Sequence, residues 1–78
     1  MIKNSILIDL QLATLPPCAR EIYSTLKEGS MNPIEIKKKV DYSSRSIRTG
    51  LKMLYTTDLI EKFNDFNDLR MFYYKIKA

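Results

Sequence analysis

The 78-residue chain has no histidine and one cysteine, Cys18. Without histidine the usual zinc ligand sets cannot be assembled, and a single cysteine excludes an internal disulfide. No metal or other cofactor is expected, and Cys18 reads as a small core residue. With only two glycines and no low-complexity run, the chain is no disordered tail. No apolar stretch approaches the roughly 20 residues that cross a bilayer. The first apolar run, Ile6-Leu7-Ile8, is too short for a signal peptide. A cytoplasmic protein without a membrane partner is the expectation. Enzymatic chemistry is also unsupported: there is no Gly-rich phosphate loop and no nucleophile beside a base. Asp65 and Asp68 stand close in sequence, but in a stretch that needs turn-forming residues anyway.

What is present fits one small domain. Hydrophobic residues make up 45% and charged residues 28%, yet a single core of this size is only marginally sufficient, so a partner subunit would help. The net charge of +4 is modest, but it is concentrated. Residues 37–52 hold six cations (Lys37, Lys38, Lys39, Arg45, Arg48, Lys52) against Asp41 alone, six minus one giving +5. Lys37 to Lys39 read equally as a solvated helix face or as contacts to an anionic partner.

Along the chain, Ile6, Ile8, Leu10 and Leu12 alternate, which predicts a strand in an N-terminal arm over residues 1–14. Leu15-Pro16-Pro17 breaks that segment and opens a first helix over residues 17–28, which Gly29 stops. Asn32 as cap, Pro33 at the first position, Glu35 completing a capping box and Met31 stapling onto Ile36 announce a second helix. That helix ends near Asp41, and a short turn at Asp41 and Tyr42 leads to Ser43, which caps a third helix over residues 43–57. Two helices joined so tightly form a helix-turn-helix. Strands over residues 59–66 and 69–76, joined near Asn67-Asp68, make a β-wing. The fold class is thus α+β: a winged helix-turn-helix over residues 15–78, with an extra N-terminal strand.

The third helix carries the clearest functional signal. Wound at 3.6 residues per turn, it puts Ile47, Gly50, Leu51 and Leu54 on one side and Arg45, Arg48, Thr49 and Lys52 within an arc of roughly 100° on the other. One face docks on a core while the other is free to meet phosphates and base edges. Ser43, Ser44 and Ser46 add hydroxyls near its exposed amino end. Gly50 costs this helix about 1 kcal/mol relative to alanine.

Over residues 15–76 the chain resembles the small winged-helix regulators of archaea and the DNA-binding core of the MarR family. The likeness rests on Leu15-Pro16-Pro17-Cys18-Ala19-Arg20, Asn32-Pro33-Ile34-Glu35-Ile36, Ser43-Ser44-Arg45-Ser46-Ile47-Arg48 with Leu51-Lys52-Met53-Leu54, and Asp68-Leu69-Arg70. The resemblance implies that the third helix enters the major groove of double-stranded DNA. It also implies that Arg70, matching the wing arginine of a D-x-R motif, reaches a minor groove or phosphate. MarR proteins have longer terminal helices framing a small-molecule pocket, whereas this chain ends two residues after Ile76, so no small-molecule effector is expected. The leading expectation is a sequence-specific DNA-binding regulator using Ser43, Ser44, Arg45, Ser46, Arg48, Thr49, Lys52, Arg70, Lys37 and Lys38. The other is a winged-helix interaction module of a transcription or chromosome-segregation assembly, favoured by the aromatics Phe63, Phe66, Phe72, Tyr73 and Tyr74. A homodimer through the N-terminal segment and first helix is expected, with the alternative that the segment folds back on its own wing.

Overall fold

The computed structural model describes residues 10–64, 66–67 and 71–77. Residues 10–13 are helical, and three helices follow: α1 (Pro17–Leu26), α2 (Pro33–Lys39) and α3 (Ser44–Thr56). An antiparallel hairpin of β1 (Ile60–Asn64) and β2 (Phe72–Ile76) completes an α+β winged helix-turn-helix.

The N-terminal strand is corrected where it can be compared. Residues 10–13 are helical, and residues 1–9, with Ile6 and Ile8, lie outside the described residues. Alternation would put Leu10 and Leu12 on one face, yet Leu10 is 61% exposed while Leu12 and Leu15 pack against the core. That is the i, i+3 spacing of a helical turn. The N–H groups of Thr14 and Leu15 close it on the carbonyls of Gln11 and Leu12 at 3.2 and 3.1 Å. Pro16, in extended conformation, then ends the segment, and Pro17 starts α1 where its missing N–H costs nothing.

α1 buries Ala19, Ile22, Tyr23 and Leu26. It stops two residues short of the expected end because Lys27, Glu28 and Gly29 each donate three residues back, tightening the last turn. Gly29 then turns the chain out at a φ of 144°, which L-residues with side chains rarely adopt. At α2 the capping box forms in both directions: Asn32 Oδ1 accepts from the Glu35 N–H at 2.8 Å, and Glu35 Oε1 accepts from the Asn32 N–H at 3.0 Å. Met31 and Ile36 are both buried in the core, as a hydrophobic staple requires. Tyr42, in the turn before α3, donates from its hydroxyl to Glu21 Oε2 of α1 at 2.5 Å, and this bond raises the tyrosine's pKa.

α3 sits unusually close to α1. A Cβ on Gly50 would lie 2.9 Å from Ile22 Cδ1 and 3.4 Å from Ala19 Cα, so the missing side chain is what lets the helices meet at this height. At the far end of α3, Asp58 takes a φ of 65°, the left-handed position where glycine is usual. Its carboxylate accepts from Lys77 Nζ at 2.7 Å, a bond that raises the lysine pKa. The Leu59 N–H then donates to the Leu54 carbonyl at 3.0 Å and launches the wing.

The wing register pairs Ile60 with Ile76, Lys62 with Tyr74 and Phe63 with Tyr73. Because side chains alternate across a strand, Ile60, Lys62, Tyr74 and Phe72 share the face of the core residue Ile60, while Glu61, Phe63, Tyr73 and Lys75 take the other. Met31 exchanges two backbone bonds with Tyr74, at 2.9 and 2.8 Å, and serves as a one-residue third strand. Both wing strands are shorter than expected among the described residues, and the turn at Asn67-Asp68 falls partly outside them.

The Gly50 contact makes a coupling prediction. Ile22→Val deletes the δ-methyl nearest the new Cβ and should cost about 0.5–1.5 kcal/mol in the native background. In a Gly50→Ala background the cost should be smaller by about 0.5 kcal/mol or more, since the same methyl is then in collision. Urea unfolding of the four proteins measures this, and strict additivity would mean that alanine fits without help from Ile22.

Candidate nucleic-acid interface

The site is built on the first two turns of α3. Ser43 is in extended conformation and its Oγ accepts from the Ser46 N–H at 3.2 Å while donating to Ser46 Oγ at 3.1 Å. Its hydroxyl therefore serves as a helix cap. Ser44 is exposed, and its Oγ accepts from Lys37 Nζ at 2.9 Å, so the last turn of α2 is bridged to the first of α3. Ser46 is half-buried, and its carbonyl accepts from the Cys18 thiol of α1 at 3.4 Å. Burial, and then the charge of Glu21, raise the Cys18 pKa, which keeps the thiol a proton donor. The Ser46 hydroxyl meets Ser43 Oγ, and Ser46 lines a groove with Arg45 and Thr49.

With Ile47, Gly50, Leu51 and Leu54 buried, Arg45, Arg48, Thr49 and Lys52 are all exposed. Among the described residues no carboxylate pairs with Arg45, Arg48 or Lys52, whereas Lys39, Lys75 and Lys77 bind Glu28, Glu61 and Asp58 at 3.4, 3.9 and 2.7 Å. The lysine run of α2 consequently splits. Lys37 reaches Ser44, Lys39 reaches back to the end of α1, and Lys38 is exposed. Arg70 lies outside the described residues.

Two grooves flank the arc. The larger, about 480 Å³, runs between α2, α3 and the wing, with Lys37, Arg48 and Lys62 around an apolar floor that includes Ile34, Ile47 and Leu51. The smaller, about 270 Å³, brings Arg45, Ser46 and Thr49 beside Cys18 and Met53. Lys62 escaped the sequence reading, because Leu59 and Ile60 are both apolar and alternation alone does not say which face turns inward. It stands two residues after the core residue Ile60, so strand alternation turns it toward the helices. Exposed guanidinium forks and ammonium groups of this kind suit phosphates and guanine edges. Among the described residues, no group of three or more His, Cys, Asp or Glu side chains is placed to hold a metal ion, and no helix is long and apolar enough to cross a membrane.

No protein-family model and no curated protein sequence matches the chain. Solved structures do. The adhesin competence repressor AdcR of Streptococcus pyogenes superposes with a TM-score of 0.78 at 19% identity, over 99% of this chain and 57% of that one. ZitR of Lactococcus lactis, a zinc-responsive MarR family member, gives 0.76 at 20% identity over 83% and 45%. The C80S mutant of MarR from E. coli, complexed with operator DNA, gives 0.75 at 18% identity over 97% and 56%. The chain thus spans about half the length of these structures. All three are bacterial, so they support the MarR part of the resemblance and not its archaeal part. The fold is the winged helix-turn-helix in the form that MarR-family regulators carry.

Proposed function

We propose that the chain binds double-stranded DNA sequence-specifically as a transcriptional regulator, with α3 in the major groove and the wing, residues 59–76, on the adjacent backbone or minor groove. One observation carries this reading: Arg45, Arg48, Thr49 and Lys52 stand exposed on one arc of a helix, and its cations have no carboxylate partner among the described residues. A helix fits the major groove, and bidentate arginine reads guanine there. In this reading Arg45 and Arg48 meet base edges, Ser44 and Thr49 offer hydroxyls, and Lys37, Lys38 and Lys52 meet phosphates. Ser43 caps the helix, Ser46 orients its first turn, and Arg70 takes a minor groove or phosphate. The operator complex of a protein with the same fold supports it by analogy. A second reading, a protein-interaction module, is favoured by the wing. Phe63 and Phe66 are 40% and 98% exposed, and Phe63 stacks on Tyr73 on the hairpin face turned from the helices.

Arg48→Ala should cost about 1–3 kcal/mol on a duplex selected by the protein from a random pool, and should relax preference at one base pair. Equal loss on selected and unselected duplexes would demote Arg48 to a phosphate contact.

The reading includes a two-fold dimer through residues 1–14 and α1, whose α3 helices meet half-sites about one DNA turn apart. The exposed apolar side chain of Leu10 supports it. Sedimentation should find the intact protein dimeric and Leu10→Asp monomeric, and an intact monomer overturns the dimer.

A further inference from the structure

We propose that Lys62 of β1 contacts a DNA phosphate and, with Lys37, holds one strand along the groove between α2, α3 and the wing that Arg48 also lines. This rests on the DNA-binding reading above and extends it to a residue of the wing strand and to the side from which the strand is held.

Lys62 lies on the same hairpin face as Ile60, which is 2% exposed and part of the core. Lys62 is exposed and lines the groove together with Tyr74, its partner in register. The groove lining takes one cation from each of three elements, Lys37 from α2, Arg48 from α3 and Lys62 from β1, and includes no carboxylate among the described residues. Same-sign charges around a concave, partly apolar wall reinforce one another's potential, and an anion threading between them would relieve their repulsion.

The partners of these cations separate them from the other lysines of the wing. Lys62 Nζ stands 4.3 Å from the centroid of the Phe72 ring, a contact that positions an ammonium without neutralising it. Lys75, on the opposite face of the same hairpin, is instead paired with Glu61 at 3.9 Å. Lys37 is held by the neutral Ser44 hydroxyl at 2.9 Å. Lys37 and Lys62 are thus oriented by uncharged groups, whereas Lys75 already has a counter-charge. Ile34, 58% exposed on α2, supplies an apolar wall to the same groove, suited to the sugar of the strand. The competing explanation for an inward lysine on an edge strand is protection against sheet-to-sheet association, which needs no DNA.

The test measures affinity against salt for the 78-residue chain and a pool of random-sequence duplexes about two helical turns long. It compares the native chain, Lys62→Gln, Lys62→Arg and Lys75→Gln. The expected result is a slope of log affinity on log salt that is shallower by about 0.9 in Lys62→Gln and unchanged in Lys62→Arg and Lys75→Gln. Lys62→Gln should weaken random and selected duplexes by the same factor. A Lys62→Gln slope equal to the native one, or equal shallowing by Lys62→Gln and Lys75→Gln, overturns the assignment and leaves α3 as the DNA-binding element. A native chain that shows no salt-dependent binding overturns the underlying reading itself.

Discussion

The closeness of α1 and α3 at Gly50 is the constraint on which the rest of the molecule depends. Because no Cβ stands between Gly50 and the Ala19 backbone, α3 can sink its Ile47, Leu51 and Leu54 stripe into the core made with Ile22 and Leu26. Rotation about the helix axis is then fixed, and the residues half a turn away, Arg45, Arg48, Thr49 and Lys52, are forced into solvent. The glycine disfavours helix by about 1 kcal/mol relative to alanine, but burying the apolar stripe outweighs it, at about 1.5–3 kcal/mol for each large side chain. The wing inherits its place from the same helix through the bend at Asp58, the Leu59 to Leu54 hydrogen bond and buried Ile60.

Charge follows packing rather than composition. The cations with carboxylate partners, Lys39, Lys75 and Lys77, lie away from the arc, and exposed pairs of this type contribute little stability. Among the described residues, the cations on the arc and around the larger groove are held, where they are held at all, by a hydroxyl or a ring. That distribution leaves a local positive surface on a chain whose net charge is only +4. Long-range attraction to a polyanion depends on such local fields more than on the total.

Much of this was legible in sequence, for local reasons. Asn32, Pro33 and Glu35 settle the start of α2 by themselves because every partner in a capping box lies within four residues. The buried stripe of α3 follows from a sustained 3.6-residue period. Where the signal was short or its partners distant, reading failed or stayed open. Leu10 and Leu12 fit an alternating strand, but the i, i+3 pair Leu12 and Leu15 is what packs on the core. Ser46 sits at the border of the arc, and only the tertiary structure shows its carbonyl accepting from Cys18 of α1. Lys37 and Lys39 are two residues apart yet have different partners, Ser44 and Glu28, which only the tertiary structure brings near. Lys62 needed the strand register before its face could be stated.

We propose, then, that the cationic face of α3 and the neighbouring groove meet duplex DNA. Titrating the affinity of the native protein for random duplex against salt tests it most directly. With four cations placed on phosphates (Lys37, Lys38, Lys52 and Lys62), each displacing about one counterion, the slope of log affinity on log salt should be about −3 to −4 for each subunit bound. Affinity that is undetectable at low salt, or that does not change with salt, would contradict the claim and leave the exposed wing aromatics as the better guide to what this protein binds.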